Sequence, residues 1–405
     1  MKIVEFTIYK NSTPVITMNG CEMKVEDIVE AAIVGGINLL FVSERGEGKT
    51  QMLKEVRDEV FGGKGTYIRV SPDMNIKDIY TALNLEQLRE KRGTTEEIIK
   101  ITEKARHPFT AIDEFNRAPP IVQGQLLGVL DGYIEVNGVV YNLGIDIGDG
   151  KTYHVGMATI NLDESKYLGT FGIDAAILDR FPIILDLDQF PPKPEDLIEI
   201  LYQDVGLVVP QIRDKTSKVI EAYKQVGSRY TPLELLIIAL YLREGVNYIS
   251  VEPYSQRKTR GRIPEGVHES GDIQGIMFPI SIRTFKNIFQ VYRALDFVAE
   301  MRGCKSSEEY YYSNSLQILK LVLPHSGSLK KHVVNSHYYG NPYLATEDII
   351  RKIKEKIEEK KYDIVEAFGK KERGRLSKED LKKFEGEWEF IKRLLLRRPD
   401  ESLST

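Results

Sequence analysis

Along the first half of the chain, short apolar runs alternate with stretches whose apolar residues recur every three or four positions. "NLLFVSE" (38–44), "GTYIRVSP" (65–72), "FTAIDEF" (109–115), "TYHVGMATIN" (152–161) and "FPIILDLD" (181–188) read as five buried strands. Their near-continuous apolarity predicts strands covered on both faces, and helix-length sequence between them allows parallel crossovers. One segment departs from this pattern. "YIEVNGVVYNLG" (133–144) has two alternating strands around Asn137-Gly138, which predicts a tight hairpin. After "PPKP" (191–194) the strand signals stop and helical periodicity takes over, as in "TPLELLIIALYLRE" and "SIRTFKNIFQVYRALDFVAEM".

The expected organisation is a strand extension over 1–23, an α/β domain over 24–190, a helical domain over 191–330 and a charged helical extension over 331–405. A polar, Gly- and Pro-bearing insertion interrupts the helical domain near 246–275. In the extension, Ile349, Ile353 and Ile357 keep helical spacing, as do Leu381, Phe384, Trp388, Ile391 and Leu395. "LSKEDL" (376–381) predicts the start of one final helix, with Ser377 as N-cap, Asp380 completing a capping box, and Leu376 and Leu381 as a staple. Arg397 and Arg398 suit its C-terminal dipole and Pro399 ends it. The expectation is that this helix packs on its own domain.

Composition narrows the function classes. At 405 residues with a net charge of -4, the chain is long enough for two or three domains and is not a globally basic polyanion binder. Its longest apolar run, "AAIVGGINLLFV" (31–42), is too short to span a bilayer, and "MKIVEFTIYK" alternates where a signal peptide would be apolar. Cys21 and Cys304 offer neither a disulfide framework nor metal spacing, which fits a reducing compartment, and together with the short apolar run the expectation is a cytoplasmic protein without membrane insertion. The 29% charged fraction leans towards a heat-adapted source.

The chemistry concentrates in "VSERGEGKTQM" (42–52), a strand, a glycine-rich turn and a helix start in direct succession. Such a junction converges backbone N–H groups and a helix dipole on an anion. Gly46 and Gly48 let the backbone approach phosphates, Lys49 neutralises their charge and Thr50 offers a hydroxyl to Mg²⁺. Ser43, Glu44, Arg45, Glu47 and Gln51 complete the loop's expected contact set. Ser43 stands where the usual pattern has glycine, and serine can make the turn leaving the strand. Further on, "FTAIDEF" ends in Asp113, placed to reach the metal, and Glu114, placed to polarise a water for in-line attack on a γ-phosphate. Asn161 at the end of "MATIN" could orient that water, and Arg180 and Arg283 are candidates to meet transition-state charge.

In order, these motifs make the sequence resemble an AAA+ ATPase, and within that superfamily it is most similar to the MoxR group. The carriers are "VSERGEGKT", "IRVSPDMNIKDI", "DEFNRAPPIVQ" running on into the hairpin, "MATINL", "ILDRF" and "SIRTF", over about residues 25 to 326. The resemblance implies a P-loop core with a parallel sheet, an α-helical lid, and ATP hydrolysis with Mg²⁺ held by Thr50 and Asp113. It implies Glu114 as catalytic base, Asn161 as sensor 1, Arg180 as a finger acting on a neighbouring subunit and Arg283 as sensor 2 on its own. Arg117 is a further candidate for reaching across the interface. A trans finger implies a homo-oligomeric, usually hexameric ring. The group implies a client protein to be remodelled or activated, with a von Willebrand A domain protein as the usual partner. A DNA-associated motor or a restriction-type NTPase is the alternative, since related branches with the same hairpin act on DNA. The loop's serine, Arg45, the 246–275 insertion and the tail depart from the group's outline.

Other features have plainer readings. "SQRKTRGR" (255–262) is the densest basic stretch and reads as a solvated loop before it reads as a nucleic-acid contact. His325, His332 and His337 lack partners at metal-ligand spacing, and "EEYYYSN" (308–314) reads as helix packing.

Overall fold

The computed structural model describes residues 2–44, 46–83, 99–161, 173, 175–204, 212–251, 255–258 and 272–397. The sequence expectations for Arg45, Arg398, Pro399, residues 259–262 of the basic stretch and most of the 246–275 insertion fall outside these residues. The chain divides into two compact units, Met1–Tyr230 with Gln290–Ser307, and Thr231–Phe289 with Glu308–Thr405.

The first unit is built on a five-stranded parallel sheet. Its strands are β1 (Leu39–Ser43), β2 (Gly65–Arg69), β3 (Phe109–Asp113), β4 (Val155–Asn161) and β5 (Ile183–Asp186), in the order β5-β1-β4-β3-β2. Every residue of β1 and β3 is buried, as the unbroken apolar runs predict for strands covered on both faces. Register brings the carboxyl ends level. Asn161 lies opposite Ser43, Arg69 opposite Asp113, and Asp186 opposite Val42.

The predicted fourth strand, 152–161, is in fact two. Lys151–Tyr153 pairs antiparallel with Ile145–Gly148, and β4 starts at Val155. His154, between them, is held at Thr110 Oγ1, 2.9 Å away, and burial pushes its imidazole down to about 4, so the ring is neutral. The hairpin over 133–144 forms as expected: Tyr133–Val136 pairs with Val139–Asn142 across Asn137 (φ 52°) and Gly138 (φ 81°). A second Asn-Gly pair, Asn19 and Gly20, closes a smaller hairpin, Ile16–Met18 with Cys21–Met23.

Residues before that hairpin form a strap, held by carboxylates where a strand would have a backbone partner. Glu30 accepts from Ile3 N at 3.0 Å, Glu26 from Phe6 N at 2.8 Å and Glu55 from Thr7 N at 3.2 Å. Ile3, Val4, Phe6 and Tyr9 are buried beneath it. The cysteine expectation is corrected here. Cys21 and Cys304 form a disulfide with Cα atoms 6.3 Å apart across 283 residues of sequence. Sequence spacing cannot reveal a pair joined only by folding, and the cysteines no longer argue for a reducing compartment.

The second unit is helical, with Leu233–Leu240, Glu308–Val322, Lys331–His337 and the 31-residue Pro342–Glu372 as principal elements. Ile349, Ile353 and Ile357 form the buried stripe of the longest. Tyr248–Val251 and Ser255–Lys258 pair antiparallel, so the described part of the basic stretch is a strand. Ser377 and Asp380 make the expected capping box, but the single final helix does not form. Gly386, at φ 71°, breaks it into Lys378–Lys382, a turn at Gly386–Trp388 and Glu389–Leu396. The apolar positions still face inward: Trp388 stacks 5.0 Å from Tyr241, whose hydroxyl donates to Glu387 at 2.8 Å. The tail therefore packs on its own unit. No helix among the described residues is long and apolar enough to cross a membrane.

Candidate functional site

β1 leaves the sheet into the glycine-rich loop, and the helix Lys49–Glu55 follows at once. Gly46 and Gly48 adopt φ 95° and 77°, a region in which a side chain is strained, and a Cβ on Gly48 would meet Ile8 Cδ1 at 2.8 Å. Ser43 ends β1 without a positive φ, so serine causes no strain there. Its hydroxyl has a further use. Lys49 Nζ donates to Ser43 O at 2.7 Å, Ser43 Oγ at 2.6 Å, Glu44 O at 2.8 Å and Asn161 Oδ1 at 3.2 Å. This buried ammonium is pushed down to about 8 by desolvation, opposed by the charges of Asp188, Glu47, Asp113 and Asp186.

Beside it, Thr50 Oγ1 donates to both carboxylate oxygens of Asp113, at 3.2 and 3.1 Å. Asp113 is fixed from two other strands: Thr159 Oγ1 donates at 2.7 Å and Tyr67 Oη at 2.5 Å. A hydroxyl and a carboxylate converging in this way are hard oxygen donors, which fits magnesium. Glu114 sits at φ 58° as the chain turns off β3, with its N–H bonded to Thr159 Oγ1 at 2.9 Å. Its carboxylate is engaged by Arg117 at 3.0 Å and faces Arg69 at 3.8 Å. Asn161 meets the site through Lys49, and its carbonyl accepts from Asn116 at 3.2 Å.

The remaining candidates separate. Gln51 turns along its helix to Glu55 at 3.0 Å. Glu44 offers its N–H to Asp188 at 3.1 Å, and Glu47 its carbonyl to the Tyr9 hydroxyl at 2.9 Å. Arg180 is not brought to this site: it binds Asp131 at 2.9 Å and Ala176 O at 2.7 Å, before β5 begins and so towards the opposite ends of the parallel strands. Arg283 is exposed in the first turn of the helix Ile282–Met301, in the second unit.

Seven participants escaped the sequence reading: Tyr67, Thr159, Asp186, Asp188, Tyr9, Arg69 and Asn116. Burial pushes the Asp186 carboxyl up to about 6. The signal for the two aspartates was present in "ILDLD", a strand ending in acids like β3. Nothing in the sequence shows that Tyr67 and Thr159 flank Asp113.

Among solved structures, the chain is similar to one from Cytophaga hutchinsonii, described as a "putative ATPase". The two share 16% identity with a TM-score of 0.56, over 80% of this chain and 88% of that one. At that identity the likeness is one of fold. No protein-family model and no curated protein matches the chain. The sheet order, the glycine-rich loop between β1 and the helix that follows it, and this likeness define the fold as an α/β core of P-loop NTPase type with a parallel sheet, followed by helical regions.

Proposed function

We propose that the protein is an ATPase that hydrolyses ATP with Mg²⁺. The observation that carries this reading is the meeting of Lys49, Thr50 and Asp113 at the carboxyl ends of β1 and β3, with Glu114 on the next residue. Lys49 and the loop N–H groups hold the β- and γ-phosphates, while Thr50 and Asp113 hold magnesium, which neutralises phosphate charge when bound. Asn161 orients a water through its amide. Glu114 accepts that water's proton as the oxygen bonds to the γ-phosphorus, and ADP leaves with the terminal phosphate released. Arg117 engages one carboxylate oxygen of Glu114, and the other carries no hydrogen bond among the described residues and is left to accept the proton. Arg283 serves as the sensor 2 cation on its own subunit's nucleotide, and the loop contacts of Ser43 to Gln51 complete the binding set.

The finer reading is a MoxR-type protein. Arg180 acts on a neighbour's nucleotide in a homo-oligomeric ring, and hydrolysis remodels a client, for which a von Willebrand A domain protein is the expected class. Lys49→Ala should remove detectable nucleotide binding in a calorimetric titration. Glu114→Gln should keep binding and lose turnover by about 10²- to 10⁴-fold. Unchanged affinity in the first, or unchanged turnover in the second, would sink the assignment. Failure of DNA to stimulate turnover separates this reading from the DNA-motor alternative.

A further inference from the structure

Three helices of the second unit, Leu233–Leu240, Glu308–Val322 and Pro342–Glu372, enclose a groove of about 640 Å³. Its floor is apolar: Ile237, Ile357 and Ile364 are buried, and Val365 on its wall is 66% exposed. Its rim is acidic, with Glu234, Glu308, Glu309, Glu358 and Glu372 against a single lysine, Lys361. Lys361 reaches only Glu358, at 3.7 Å, and among the described residues the other four glutamates carry no ion pair.

A third observation points into the same place. Tyr312 lines the groove, and its buried hydroxyl has no hydrogen-bond partner among the described residues. A hydroxyl left without a partner is stabilised when a polar group of an incoming segment reaches it. Burial, with Glu358 beside it, pushes that phenol up to about 12, so it stays a neutral donor.

We propose that this groove docks a basic amphipathic helix of a partner protein, with apolar residues on the isoleucine floor and Lys or Arg flanks on the glutamate rim. An apolar trough without the rim would accept any amphipathic segment. Unneutralised carboxylates on three helices select a cationic one and repel an acidic one, by the same charge complementarity that sets partner choice elsewhere.

The test uses the full chain and two labelled peptides of about five helical turns with the same apolar face, one flanked by Lys and Arg and the other by Glu. Anisotropy should show saturable binding of the basic peptide, weakened at least about tenfold by raised salt or by Glu358→Lys with Glu372→Lys. The acidic peptide should bind only that double variant. Lysine at position 372 suits a helix C-terminus, so the fold is spared, and unchanged basal turnover and circular dichroism check this. Val365→Asp should abolish binding by removing apolar contact at the wall, although its added negative charge favours a basic peptide. The proposal is overturned by equal binding of both peptides or by no saturable binding of the basic one up to about 1 mM. Self-association that Val365→Asp abolishes would also overturn it, because a second copy would then be the occupant.

Discussion

Lys49 is buried among the uncharged oxygens of Ser43, Glu44 and Asn161, with the carboxylates of Asp113, Asp186 and Asp188 acting at longer range. Its ammonium, lowered to about 8, is needed charged when a phosphate binds. Binding therefore takes up a proton once pH exceeds that value, and by linkage the nucleotide Kd should rise with pH. Titrations from about pH 7.5 to 9.5 should show a slope approaching tenfold per unit above about 8. A flat profile would mean that the lysine keeps its proton and that its burial has no consequence for binding. Asp186, raised to about 6, is already ionised in that window, so Asp186→Asn should weaken the field that keeps Lys49 charged and move the bend lower. Residue identity made Lys49, Thr50, Asp113 and Glu114 legible in the sequence, because their chemistry is adjacent along the chain. Thr159 and Tyr67 were not legible, because they act on Asp113 through strand register, one step past the Ala158–Ile112 pair and on a strand some forty residues earlier.

Elements were legible where one physical signal dominated. Burial on both faces marked four of the five strands, the edge strand β2 being buried only at alternate positions, and Asn137-Gly138 marked its hairpin by the positive φ that both positions adopt. The tail shows the opposite case: apolar spacing persisted across Gly386 although the backbone did not continue as one helix, since inward-facing side chains can keep their period through a turn. The N-terminal strap was illegible for a different reason, its N–H groups being satisfied by side chains of Glu26, Glu30 and Glu55. The hairpin that follows the strap is joined by Cys21 to Cys304, just past the end of the helix Ile282–Met301. Closing a loop of 283 residues removes about 6 kcal/mol of unfolded-state entropy in the chain-entropy model. Reductant should therefore lower the first unit's unfolding midpoint by about 10 to 20 °C, and Cys21→Ser should do the same while becoming insensitive to reductant. A wild-type midpoint indifferent to reductant would show that this bond does not constrain the unfolded chain.

At the scale of the whole molecule, the position of Arg180 separates a self-sufficient enzyme from an assembly. Its guanidinium is tied to Asp131 and Ala176 O before β5, whereas Lys49, Asp113 and Glu114 gather beyond the carboxyl ends of β1 and β3. In a parallel sheet those are opposite ends, a strand length of roughly 3.3 Å per residue apart, so Arg180 is remote from the site of its own chain. If it is the transition-state cation, the site it serves belongs to another copy and the contact is heterologous, which gives a ring where the rotation closes. Arg180→Ala should then leave nucleotide affinity nearly unchanged and cut turnover by about 10³-fold or more. The decisive measurement mixes it with Glu114→Gln, each inactive alone. Wherever an Arg180→Ala subunit contributes the site and its Glu114→Gln neighbour contributes the arginine, both groups are intact, which happens at about a quarter of interfaces in a random one-to-one ring. Turnover returning to about that fraction of the wild-type rate supports the finger in trans. An oligomer that forms but shows no rescue would assign Arg180 to the Asp131 contact alone, and the transition-state cation would have to be sought among Arg69, Arg117 and Arg283.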